Sequence, residues 1–135
     1  MYTQKTLDIF KNPQNAGGLQ GANGVGKVVD ATFGDVIKFY LKIDEKEVIE
    51  QARFKTMGGV VSIAASSLVT ELVKGLSLKD AKELDEGNIL EVLEQVSQEK
   101  FCLLTSTIEA LNEAIEDYYK RKEKEEKEAK EKKSK

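Results

Sequence analysis

Three short extended segments, followed by segments of helical period, predict an α+β domain: a small antiparallel sheet of about three strands with helices packed on one face. Two observations carry this prediction. Residues 36–43 alternate, with Ile37, Phe39, Leu41 and Ile43 on one side and Lys38, Tyr40 and Lys42 on the other, the period of a half-buried strand. Beyond residue 60 the period changes, and Leu104, Ile108, Leu111, Ile115 and Tyr118 lay one apolar stripe on a long C-terminal helix.

Taken in order, Thr3 is placed to cap a first short helix with Leu7 and Phe10 on one side. That helix ends before Asn12-Pro13, because proline disfavours helical geometry in the preceding residue. Residues 15–26 contain Gly17, Gly18, Gly21, Gly24 and Gly26 and read as a flexible connector. Gly21, Gly24 and Gly26 lack the preceding strand and following helix that a phosphate-binding loop requires. Lys27–Thr32 is strand-like, and Asp44-Glu45-Lys46-Glu47 is a polar turn between the alternating segment and a third strand at Val48–Thr56. Ala52, Phe54 and Thr56 share one side of that strand, so the three segments form an antiparallel meander. After Met57-Gly58-Gly59, the residues Val61, Ala65, Leu68 and Leu72 predict an amphipathic helix. Gly75 suits the left-handed residue that ends it, Ser77 caps a further short helix, and Asn88 opens another over Ile89–Val96.

The chain of 135 residues suits one domain, with a body at 1–119 and a charged tail at 120–135 that extends the last helix. The charge is uneven. The tail carries nine Lys/Arg and five Glu, a surplus of +4, whereas the body carries twelve Lys/Arg and nineteen Asp/Glu, or −7. An acidic body repels nucleic acid, so no nucleic-acid partner is expected. No apolar run approaches the roughly 20 residues that cross a bilayer, and no membrane association is expected. The first residues lack the charged-then-apolar form of a signal peptide, which points to a cytoplasmic protein. There is no histidine and a single cysteine, Cys102. Ser-His-Asp and Cys-His catalysis, an intrachain disulfide and a Cys-rich zinc site within one chain are therefore excluded, and no enzyme is expected.

Several separated motifs keep one order along the chain. Tyr2-Thr3-Gln4-Lys5 through Asp8, Asn12-Pro13-Gln14-Asn15 with Gly17, Phe54-Lys55-Thr56-Met57-Gly58, Ser66-Ser67-Leu68-Val69-Thr70-Glu71, Val73-Lys74-Gly75, Ala114-Ile115 and Asp117-Tyr118 are the carriers. On these the chain, over about residues 2–119, resembles the iron–sulfur cluster assembly scaffold proteins of the IscU type, also found as the N-terminal domain of NifU. The resemblance implies three cluster cysteines. The first lies in Ala-Cys-Gly-Asp, where this chain has Thr32-Phe33-Gly34-Asp35. The second lies in Gly-Cys-Gly-Ser, matched here by Gly58-Gly59-Val60-Val61. The third follows a histidine. Counting back without a gap from Asp117-Tyr118 puts Cys102 at the histidine and Leu103 at the cysteine, whereas a one-residue slip makes Cys102 the third cysteine. The Leu-Pro-Pro-Val-Lys segment that an Hsp70-type chaperone recognises in some members corresponds to Val96-Ser97-Gln98-Glu99-Lys100, where only the lysine persists, so that recognition is not expected.

Phe33, Gly59 and Leu103 offer no side-chain donor, and a [2Fe–2S] cluster or tetrahedral zinc needs about four. No cofactor is therefore expected, and Phe33 is expected to be partly or largely buried beside Gly59 and Leu103 in a site turned into core. Two roles follow. In the first the chain has lost cluster binding and acts as a binding or regulatory partner in iron–sulfur or sulfur metabolism, with a cysteine desulfurase or another assembly factor among its partners. In the second it remains a scaffold or sulfur carrier, using Cys102 and Asp35 with ligands from a second chain to hold a cluster or zinc. Cys102 reads either as a small buried hydrophobe or as a thiol activated by the nearby cation of Lys100. Asp35 reads as a turn or cap carboxylate.

Overall fold

The alternating residues 36–43 form the central strand of a three-stranded antiparallel sheet, seen in a computed structural model that describes residues 1–133. A helix at Gln4–Lys11 (α1) precedes the strands Gly24–Val29 (β1), Val36–Ile43 (β2) and Ile49–Met57 (β3). Helices follow at Val60–Val73 (α2), Leu78–Ala81 (α3) and Glu86–Leu93 (α4). A 3₁₀ turn at Gln98–Lys100 then leads into Phe101–Lys133 (α5), 33 residues long. Strand order is β1-β2-β3. The helices cover one face of the sheet, as α+β patterning requires, with α5 against β1 and β2 and α2 against β3.

Ile37, Phe39, Leu41 and Ile43 all point into the core, the first three fully buried. Their cross-strand neighbours on that face are Val28, Gly26 and Gly24 on β1, and Thr56, Phe54 and Ala52 on β3. The glycines explain why the first strand lies three residues earlier than Lys27–Thr32. A Cβ at Gly24 would lie 2.6 Å from the carbonyl oxygen of Ala114, and one at Gly26 would run into the α5 backbone at Ala110 and Ala114. These residues are the close approach of a strand to a helix, not a flexible connector. Asn15–Gly17 is likewise held, through Gly17 N–H to the Phe54 carbonyl at 2.8 Å and Phe54 N–H to the Asn15 carbonyl at 3.0 Å.

Helix α2 departs from the expected single apolar stripe. Ser62, Ser66, Ser67 and Thr70 are buried along with Val61, Ala65 and Leu68, because α2 is enclosed by β3, α1, α4 and α5. Its hydroxyls are satisfied across the packing: Ser66 with Thr56 at 2.8 Å, and Ser67 accepting from Gln14 N–H at 2.7 Å. Gly75 adopts φ +83° after this helix. Helix α4 begins earlier than expected. Asp85 is its cap, and Asn88 closes a capping box three residues on instead of opening the helix. Among the described residues no helix is long and apolar enough to cross a membrane.

Candidate functional site

Residues 30–35 link β1 to β2, and their geometry is set by Asp30. Its side chain accepts from the backbone N–H of Thr32 at 3.0 Å and of Phe33 at 2.8 Å, while its carbonyl accepts from Gly34 N–H at 2.8 Å. Gly34 turns the chain with φ +76°. The same carboxylate reaches across to α5, where the Ser106 hydroxyl donates to it at 2.7 Å and the Cys102 thiol at 3.9 Å. Asp30 is 3% exposed. Burial by itself pushes its carboxyl up, but the hydrogen bonds from Ser106, Phe33, Thr32 and Cys102 together outweigh that and hold it below the ordinary 3.8.

Asp35 closes the other side. Its carboxylate accepts from the Ser62 hydroxyl and from Gly59 N–H at 3.3 Å, tying the turn to Gly59, the residue before α2, and to the first turn of that helix. It also fills the space beside Gly58, where a Cβ would lie 2.9 Å from the Asp35 Cβ. Two aspartates thus fasten the 30–35 turn to the start of α5 and to the start of α2. The three segments that carry positions 33, 59 and 103 are thereby gathered at one end of the sheet.

The side chains at those positions do not share a filled core. Leu103 is buried at 3% exposure, but Phe33 is 39% exposed. Gly59 is exposed, and a Cβ there would meet nothing within 4 Å. Phe33 is only partly buried, because the Asp30 carboxylate pins its backbone N–H in the turn and leaves part of the ring on the surface, so the expected filled core does not form. Asp35 is occupied by its bonds to Gly59 and Ser62 at the start of α2. Cys102, half-buried, donates to Asp30 and to the Glu99 carbonyl at 3.8 Å. Lys100 is engaged elsewhere: its ammonium donates to the Tyr2 hydroxyl and lies 4.8 Å from the centroid of that ring. The polar neighbour of the thiol is thus an anion.

Among the described residues no three Cys, Asp or Glu side chains come together to hold a metal ion. The nearest donors are one thiol and two carboxylates already bonded to the protein, which does not fit a resident cluster or zinc. Asp30, Ser62 and Ser106 were not singled out from the sequence. The available signal is Asp30 itself inside the strand-like Lys27–Thr32, since Asp is depleted in strands and common at turns.

Residues 1–125 match the family described as NifU-like N terminal domain. The chain belongs to this family. It is 42% identical over 118 residues to the iron-sulfur cluster assembly scaffold protein IscU of Aquifex aeolicus, covering 87% of this chain and 75% of that one. It is 38% identical over 125 residues to the protein of the same name from Escherichia coli, covering 90% and 97%. The fold is that of the N-terminal part of a nitrogen-fixing NifU-like protein from Brucella abortus. There the TM-score is 0.73 at 18% identity, over 87% of this chain and 94% of the other.

Proposed function

We propose that this family member serves iron–sulfur cluster assembly as a binding or regulatory partner and does not build a cluster on its own side chains. The observation that supports this reading is the donor set. Phe33 and Gly59 stand where the resemblance places two thiolates and Leu103 where the count without a gap places the third, while Asp35 is bonded to Gly59 and Ser62 and the Cys102 thiol is turned to Asp30. The scaffold relatives named above support the setting in cluster assembly. With neither histidine nor a catalytic constellation, the role is one of protein contact, with a cysteine desulfurase or another assembly factor as the partner.

Putting the thiols back tests this directly. The combined variant Phe33→Cys, Gly59→Cys, Leu103→Cys should bind iron or zinc that the parent chain does not. The backbone that gathers the three positions needs no rebuilding, since the aspartates that fasten it are untouched. A folded triple variant that binds no more metal than the parent would show that the loops no longer present those positions to one centre.

The second reading, a sulfur carrier or bridged scaffold using Cys102 and a second chain, draws support from the partial exposure of Cys102. It requires that Cys102→Ser abolish metal or sulfane sulfur carried by the wild-type dimer.

A further inference from the structure

The face of the sheet turned away from the helices carries a row of three lysines in register. Lys27 lies opposite Lys38, and Lys38 opposite Lys55. Residues directly opposite on neighbouring strands have Cβ atoms about 5 Å apart, and like charges at such positions are unfavourable. Arg53 and Lys42 add two more cations to the same face, while Glu50, in the β-bulge beside Lys42, puts one acid at the end of the face away from the lysine row. Among the described residues none of the five makes an ion pair. The nearest compensation is Tyr40, whose ring centroid lies 5.1 Å from the Lys38 ammonium and 5.9 Å from that of Lys55.

The rest of the chain is the opposite. Setting these five aside from the 21 Lys and Arg leaves 16 against 24 acids, a charge of −8. The face is bordered by an apolar row, Val29–Val36–Met57, with Val29 57% and Met57 75% exposed. That row lies at the end of the sheet where the 30–35 turn and Gly58-Gly59 sit, so it is continuous with the candidate site.

We propose that this outer face is a docking surface for an acidic protein segment that carries an apolar side chain, the acids lying on the lysine row and the apolar group on Met57 and Val29. A compact acidic segment is attracted locally within a Debye length of roughly 8 Å. A long nucleic acid or an anionic membrane would extend past the face toward the surrounding acidic surface, and neither pairs its charge with a fixed apolar anchor. The inference does not depend on whether the chain holds a cluster.

The test is a titration of the full chain with a fluorescein-labelled Glu-rich peptide bearing a central Leu-Phe pair, read by anisotropy and by amide NMR shifts. Shifts confined to β1, β2 and β3, with binding that weakens as salt rises, are expected. The variant Lys27→Gln, Lys38→Gln, Lys55→Gln should weaken binding about tenfold, three exposed charges together being worth about one decade. The equal-charge control Lys11→Gln, Lys46→Gln, Lys79→Gln should not, and Met57→Ser should weaken it through the apolar row. Shifts elsewhere, no binding, or equal losses in the two triple variants would overturn the proposal. Tighter, lysine-row-dependent binding to oligo-dT or to phosphatidylserine vesicles would overturn it in favour of a nucleic acid or a membrane. The wild-type shift map decides the location even if a variant fails to fold.

Discussion

Asp30 holds the 30–35 turn and the first turns of α5 in one arrangement through bonds that need its charge. Asp30→Asn replaces an acceptor-only group that receives several donors, and should cost about 1–3 kcal/mol in thermal or denaturant unfolding. Because its native pKa lies below the ordinary 3.8, the stabilisation is complete above that value. It is lost as the pH falls through the lowered native pKa. The wild type should therefore lose more stability than Asp30→Asn on going from pH 5 to acid conditions, and parallel pH profiles of the two would contradict this. Phe33 makes the complementary point. At 39% exposure its ring is buried over only part of its surface, so Phe33→Ala should cost about 1–2 kcal/mol, where a fully buried ring would cost 3 or more. The sequence marks Phe33 as a missing ligand but carries no sign of its exposure, which is set by a turn whose key bond comes from the side chain of Asp30. Gly26 is a third case. Its spacing suggested a loop, yet Gly26→Ala should destabilise by roughly 1–3 kcal/mol because the methyl meets helix backbone that cannot swing aside.

At the scale of elements, the strands were legible where the alternation is strong, as in β2, whose bounds coincide with the expected ones. They were displaced where glycine stands on the buried face, as in β1, since a residue chosen for the absence of a side chain adds nothing to a hydrophobic pattern. Helix α2 was found but its environment was not, because buried serines and threonines with partners from α1 and β3 look polar in the sequence. The lysine row carries its own stability consequence. Lys38→Gln removes a charge flanked by two like charges and should raise unfolding stability by a few tenths to about 1 kcal/mol. A loss would show that the row is compensated. The end of α5 is exposed throughout from Glu123 to Lys133, after Arg121 pairs with Asp117 and Lys122 with Glu47. A helix with no buried stripe depends on the helix it continues. Deleting residues 123–135 should therefore leave the melting temperature nearly unchanged, and a drop of many degrees would show that the tail packs on the body or on another copy.

At the scale of the whole molecule, two aspartates draw the β1–β2 turn, the start of α2 and the start of α5 together around positions whose side chains donate nothing to a metal. The framework was legible through ordered motifs from Tyr2 to Tyr118, and the missing donors through plain residue identity. The pairing of Cys102 with Asp30, separated by 72 positions, was not, because no local pattern announces a contact that only the fold creates. The most direct measurement is anaerobic reconstitution of the full chain with iron and sulfide, followed by visible absorption and metal analysis. The account predicts a colourless protein with well under one iron per chain. A coloured protein holding iron at one cluster per chain or per dimer, and losing it in Cys102→Ser, would contradict it.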